Sequence, residues 1–495
     1  MAAVQLLRGH TDAVVSLDLY TPFPGSPFCC ACCCCNGYSA SASEDDGSSA
    51  RSACSSSTIS SSSCLVLSSS DDRTVRVWDV RQQQAAVRVS LDPWGSPGDV
   101  GVARFYPGGN GVIAAACGNK LLTFDLRHPL RPLMQQKQRE EQQKPGQQLV
   151  TSSDTELNPS VVDMKAMSCV DSAVVGEEVD EDDDWVINDF DIWVPPAAIQ
   201  QQLQQCSSTA KGSNSGKKAA GEITASDESL DDVLIAIPTD GGKVVVLHQR
   251  KLQAPLLLSL PASPQHGSIC GIARFRKHAV MDLLSGGYDC QLKDWDLLHR
   301  KARGCVDTQK LTPDGEEQPA LSGCKRQQQR RKLQGQQQIF NPPFVTALEV
   351  DAPGDRVFMG LGDGAISMLQ YAESTRNARL VLPPVWRVEA HGAAVTQLRL
   401  LSLQQQQQQH QPRELLLSCS DDRRLCLFSL DEEKPSLLVS HQLREKPNAL
   451  RACQLCCCGC TSTRCINRSS GDMLETVRAY VGDVSPDIKI IDLRL

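Results

Sequence analysis

The sequence predicts an all-β protein, a seven-bladed β-propeller carrying long disordered insertions. Three observations predict it. A hairpin unit recurs along the chain, a histidine-led strand precedes each clear copy, and the chain opens on a short apolar strand with no hairpin of its own. Internal repetition at a fixed period marks architectures in which each unit buries its apolar face against the next.

The recurring hairpin reads LVLSSSDDRTVRVWDVR at residues 65–81, LLSGGYDCQLKDWDL at 283–297 and LLLSCSDDRRLCLFSL at 415–430. Each copy is a short apolar strand, a tight polar turn with Asp, and a second strand of alternating apolar residues, the pattern of a β-hairpin. The turn Asp and the following aromatic are six apart in every copy: Asp72 and Trp78, Asp289 and Trp295, Asp422 and Phe428. Upstream, His10 precedes AVVSLDLY, His266 precedes ICGIARF and His391 precedes AVTQLRLL.

Weaker copies complete a ring. Blade 2 reads VGVARFYP, VIAAACG and KLLTFDLR, ending at Arg127. Blade 3 has its hairpin at 233–249, and WVINDFDIWV at 185–194 is its favoured first strand. Blade 5 is FVTALEV followed by RVFMGLGDGAISMLQ, with Asp363 in the turn, and blade 7 is NALRACQL, MLETVRAYV and DIKIIDL. Val4–Leu7 is then the natural fourth strand of blade 7, closing the ring and removing open sheet edges. The predicted disordered insertions are 21–63, 131–184, 197–230, 301–338, 403–412 and 456–470. They leave about 300 residues, or about 43 per blade, against a repeat period of about 40–45.

These residues resemble the WD-repeat family. The resemblance implies a buried hydrogen-bonded set in each blade, made of the His, a Ser on the second strand, the turn Asp and the Trp. Carried onto this chain, the set is His10, Ser70, Asp72 and Trp78 in blade 1. In blade 4 it is His266, Asp289 and Trp295, with Gly287 at the Ser place. In blade 6 it is His391, Ser420 and Asp422, with Phe428 leaving the network one donor short. The set is chemically satisfiable, because an imidazole can bond to both a hydroxyl and a carboxylate while an indole N–H needs an acceptor.

A narrower likeness is to the WD repeat-containing protein 53 subfamily. It is carried by the Gly9-His10 start, the FDLR end of blade 2, Asn341-Pro342 opening blade 5, and the run from Glu445 to Leu450 in blade 7. The family resemblance gives Trp78-Asp79-Val80-Arg81 a meaning: propellers that dock on the adaptor of cullin-4 ubiquitin ligases tend to carry WD-x-R at the end of a third strand. Arg127 and Arg494 hold equivalent places in blades 2 and 7. The expected activity is therefore protein binding, as a scaffold or as the substrate receptor of such a ligase, with the adaptor as partner. The alternatives are a general assembly scaffold, in chromatin or ribosome maturation, and a Cys-rich metal or redox module.

Composition limits the rest. Net charge is −8, which gives no basic footprint for nucleic acid. The start lacks a secretory signal and no run of 18 apolar residues occurs, so a monomer in the cytoplasm or nucleus, off the membrane, is expected. Many of the 23 cysteines sit in runs such as Cys32 to Cys35 and are read as reduced thiols. Cys453, Cys456, Cys457, Cys460 and Cys465 offer C-x-x-C spacings that suit zinc, but expansion of a solvent loop explains them more simply, so no metal or cofactor is expected. The acidic run 177–184 reads as a solvated loop, and the basic cluster 325–332 carries the spacing of a nuclear import signal. GSNSGKK at 212–218 lacks the spacing and the Ser or Thr of a phosphate loop. No other catalytic motif occurs, and no enzyme is expected.

Overall fold

The computed structural model describes residues 4–20, 65–80, 83–92, 100–107, 111–126, 160–163, 186–194, 233–249, 256–258, 260, 265–276, 282–311, 341–372, 380, 384–403, 413–454 and 476–495. The described strands form seven four-stranded antiparallel sheets. β1 (Val4–Leu7) opens the chain. Blade 1 is β2 (Val14–Leu19), β3 (Leu65–Ser70), β4 (Thr74–Asp79) and β5 (Gln84–Ser90). Blade 2 is β6 (Val100–Phe105), β7 (Val112–Cys117), β8 (Lys120–Asp125) and β9 (Ser160–Asp163). Blade 3 is β10 (Asp191–Trp193), β11 (Val233–Pro238), β12 (Val244–Gln249) and β13 (Leu256–Leu258). Blade 4 is β14 (Cys270–Arg276), β15 (Asp282–Gly287), β16 (Gln291–Asp296) and β17 (Lys301–Asp307). Blade 5 is β18 (Val345–Val350), β19 (Arg356–Leu361), β20 (Ala365–Gln370) and β21 (Trp386–Glu389). Blade 6 is β22 (Val395–Leu403), β23 (Arg413–Ser420), β24 (Arg424–Ser429) and β25 (Ser436–Gln442). Blade 7 is β26 (Pro447–Gln454), β27 (Thr476–Asp483) and β28 (Ile488–Arg494), with β1 as its outer strand.

The seventh blade closes the ring. Leu7 lies opposite Ile488 and Val4 opposite Ile491 in an antiparallel pairing. First strands of neighbouring blades pack on one another around the axis. The apolar residues gather into seven cores, one in each seam between blades. Val14, Trp78 and Tyr480 meet between blades 7 and 1, and Trp193, Phe275 and Trp295 between blades 3 and 4. Each sheet therefore buries both faces. This is why second strands such as β7 and β11 are buried at every residue instead of alternating. The seams are tight near the axis, where a Cβ on Gly482 would lie 2.6 Å from a methyl of Val14.

In blades 1 to 6 the turn between the second and third strands holds one left-handed residue. Gly118, Gly242 and Gly364 supply it in blades 2, 3 and 5, while Arg73, Cys290 and Arg423 adopt φ near +60° in blades 1, 4 and 6. In the last three blades the residue just before it is the turn Asp, whose carboxylate accepts from the N–H two residues on and holds the bend.

Three insertion boundaries need correction. Ser160–Asp163, inside the expected insertion 131–184, forms β9 and pairs with β8. Lys301–Asp307 and a short 3-10 turn at Thr308–Lys310 occupy the start of 301–338, because β16 needs an outer partner and the nearest downstream chain provides it. Leu403, the expected first residue of 403–412, is the buried last residue of β22. The remaining expected insertions and the acidic and basic runs lie outside the described residues, as does Trp185.

Candidate functional site

The repeated polar network is the best-defined constellation. In blade 1 a chain of hydrogen bonds runs from the third strand to the turn. The Trp78 indole N–H donates to Ser68 Oγ at 2.8 Å, Ser68 Oγ lies 2.7 Å from His10 Nε2, and His10 Nδ1 lies 2.9 Å from Asp72 Oδ2. A neutral imidazole satisfies every donor: the hydroxyl gives its proton to Nε2, and Nδ1–H donates to the carboxylate. Burial pushes the His10 pKa down, against the pull of Asp72. Burial alone would raise Asp72, but bonds from His10, Thr74 and the Thr11 N–H outweigh it and hold the carboxyl far below the usual range. Blade 4 repeats the chain through Trp295, Ser285, His266 and Asp289, and burial again lowers the His266 pKa. In blade 6, His391 bonds Ser418 and Asp422, and the Ser418 hydroxyl turns to the Cys426 carbonyl in the absence of an indole.

The serine assignment differs from the expected one in all three blades. Ser68, Ser285 and Ser418 carry the network, and Ser70, Gly287 and Ser420 do not. The reason is register. Trp78 lies opposite Val66, so Ser68 is its diagonal neighbour on the same face. Ser70 is two residues further along, about 7 Å away at the strand rise, out of reach of the indole. Ser70 instead donates to the Asp12 carbonyl and accepts from the Asp72 N–H, and Ser420 does the same with Ala393 and Asp422. Blade 4 is thus complete, not deficient. A side chain at Gly287 would press on it, since a Cβ there would lie 2.5 Å from His266 Nδ1 and 2.6 Å from Asp289 Oδ1. Gly287→Ser is expected to lose about 2 kcal/mol from overpacking, read from the urea midpoint; an unchanged midpoint would refute this crowding. The missed serines had a sequence signal, a constant spacing of ten residues to the aromatic.

Ser68, His10 and Asp72 have the connectivity of a nucleophilic triad. Ser68 is fully buried, however, and the indole N–H caps its oxygen, so no acyl group can reach it. The networks knit the second and third strands to the strand start of the same blade. Blades 5 and 7 carry ion pairs at this end: Arg387 of the outer strand β21 pairs with the turn residue Asp363, and Lys489 of β28 with Asp483 of β27.

The expected docking residues divide in two. Trp78 is fully buried and Asp79 nearly so, which removes both as surface contacts: each side chain is spent inside the seam. Arg494, at the end of β28, is exposed. Arg81 and Arg127 lie outside the described residues, one residue beyond Val80 and Leu126 respectively. Of the zinc-spaced cysteines only Cys453 is described, and it is half-buried; Cys456, Cys457, Cys460 and Cys465 lie outside. Among the described residues, no three His, Cys, Asp or Glu side chains are grouped to hold a metal ion, and no helix is long and apolar enough to cross a membrane.

Four of the large exposed apolar side chains sit at one end of the ring. Ile269 and Val186 lie just ahead of first strands, while Tyr288 and Val484 lie in turns between second and third strands. Tyr288 stacks on Phe344 of the next blade, with ring centroids 5.2 Å apart.

Residues 46–79, which contain β3 and β4, match the family described as WD domain, G-beta repeat. No curated protein matches the chain. The ring of seven four-stranded blades makes this chain a β-propeller, and residues 46–79 within it are similar to a WD repeat.

Proposed function

We propose that this propeller is a protein-interaction scaffold that serves as a substrate receptor, docking on the adaptor of a cullin-4 ubiquitin ligase. The scaffold reading rests on the fold, a closed ring of seven blades that leaves only the edges of the outer strands open. The docking reading rests on Trp78-Asp79-Val80-Arg81. Trp78, Asp79 and Val80 are buried, so the chain reaches Arg81 from a fixed point. The exposed Arg494 holds the matching strand end in the neighbouring blade. Both guanidinium groups can offer forked donors to acidic groups or carbonyls. The likeness of the 445–450 run to the WD repeat-containing protein 53 subfamily supports the same reading.

Affinity capture tests it. Wild-type chain is expected to retain the adaptor, and Arg81→Ala to retain at least tenfold less, about 1.4 kcal/mol of interface free energy. Failure to capture the adaptor, or equal capture by both proteins, removes the docking role. A general assembly scaffold is the second reading. It is favoured by the exposed Tyr288, Ile269, Val186 and Val484, which offer apolar surface on the blade turns. Loss of partners other than the adaptor on Tyr288→Ala would support it.

A further inference from the structure

A charged residue occupies the fifth place of the first strand in all seven blades. In ring order they are Asp18, Arg104, Asp191, Arg274, Glu349, Arg399 and Arg451, with blade 3 counted from the bridge residue Ile187. The signs alternate from blade 1 to blade 6. Seven is odd, so alternation fails at one seam, and two arginines meet between blades 6 and 7.

The other arginines show what such a meeting requires. Arg104 and Arg274, from blades 2 and 4, both reach Asp189, at 2.8 and 2.7 Å. Asp189 stands at the third place of the blade 3 strand. The third place in blade 6 is Gln397, which is neutral and accepts from Arg399 Nη2 at 3.3 Å. Arg399 and Arg451 nevertheless converge: Arg399 Nε and Arg451 Nη1 donate to the same carbonyl, that of Leu450, at 3.1 and 2.9 Å. Their acidic partners lie on the far sides, Glu349 beside Arg399 and Asp18 beside Arg451, both at 3.0 Å. Each arginine side chain is 12% exposed, so the pair is largely withdrawn from water but keeps some solvent contact.

We propose that the blade 6–7 seam binds an oxyanion, a carboxylate or a phosphate, between Arg399 and Arg451, in the role that Asp189 fills for Arg104 and Arg274. Guanidinium forks match planar oxyanions and hold them with charge-assisted bonds that strengthen away from solvent. The site is separate from the strand-end arginines and does not depend on the docking reading.

The test is the melting temperature of the full chain in about 10 mM phosphate or acetate, against chloride at equal ionic strength. The wild type is expected to melt about 2 °C higher in at least one oxyanion. Stabilisation by phosphate alone identifies a free inorganic anion. Stabilisation by acetate, alone or with phosphate, identifies a carboxylate, which an acidic partner side chain can supply. Phosphate also strengthens burial in general, so the difference from Gln397→Glu is the readout. That variant carries its own carboxylate, and is expected to melt above the wild type in chloride and to lose the oxyanion response. Arg451→Lys keeps the charge without the fork and should lose the response too. Melting that tracks ionic strength alone, or a Gln397→Glu response equal to that of the wild type, overturns the proposal.

Discussion

Ser68→Ala is expected to destabilise the protein by about 3 kcal/mol, since it strands two buried partners at about 1–3 kcal/mol each. Ser68 accepts from Trp78 Nε1 and bonds His10 Nε2, and all three residues are buried. Alanine leaves the buried indole N–H and imidazole nitrogen without these partners. Ser70→Ala removes only the bonds to the Asp12 carbonyl and the Asp72 N–H, which closes the turn near the surface, and should cost about 1 kcal/mol. The ranking is the informative part, read from urea midpoints at constant slope. Equal losses, or a greater loss for Ser70→Ala, would mean that the network runs through the wrong serine.

Asp294→Asn is expected to flatten the dependence of stability on pH between about 4 and 7. Asp294 is buried in β16, at the seam between blades 4 and 5, and burial pushes its pKa up to about 7. Arg303 and Arg276 pull it down less than burial raises it, Asp282 adds to the rise, and the Tyr371 hydroxyl lies alongside. Arg303 pairs with Asp282 at 2.6 Å and Asp296 at 3.7 Å, and Arg276 with Asp282 at 3.1 Å and Asp355 at 3.4 Å, so both cations are already matched by other carboxylates before they can serve Asp294. Tyr371 carries Arg276 over its ring, 3.6 Å from the centroid, which ties blade 5 to the same cluster.

The folded state therefore binds the Asp294 proton more tightly than the unfolded chain. Its contribution is fully present below the unfolded carboxyl pKa and is lost as pH rises through about 7. A rise of about three pKa units corresponds to at most about 4 kcal/mol. Asparagine keeps the shape and stays neutral, so its advantage over the wild type should grow with pH. His10 and His266 act in the opposite direction: their lowered pKa values make the protein lose stability as pH falls below about 6.5. Both proteins share that acid limb, which leaves the difference between them as the signature of Asp294. Superimposed pH profiles for the two proteins would sink the assignment.

Much of the fold was legible from local chemistry. The Asp-to-aromatic spacing of six, the leading histidines and the apolar pairs of strands marked the hairpins, and the unpaired Val4–Leu7 pointed to ring closure. Local pattern carries this information because a strand and its turn are set by neighbouring residues. Less legible were β9 and β17. As outer strands each is paired along one edge within its blade, and β17 is exposed or half-buried at all but one residue. Strand identity there comes from the partner, not from the segment's own composition.

The candidate site divides along the same line. By itself the sequence determined which residue types recur, and so the histidines, turn aspartates and tryptophans of the blade networks. It also placed the WD-x-R segment at a strand end. Only the tertiary structure decided which serine joins each network, because a shift of two residues keeps the same face but moves the hydroxyl by about 7 Å. Only the closed ring decided that residues far apart in the chain, Asp18 and Arg451 or Asp189 and Arg274, would neutralise one another across seams. An odd number of blades is a property of the ring and of no single repeat, and it is this that sets Arg399 against Arg451.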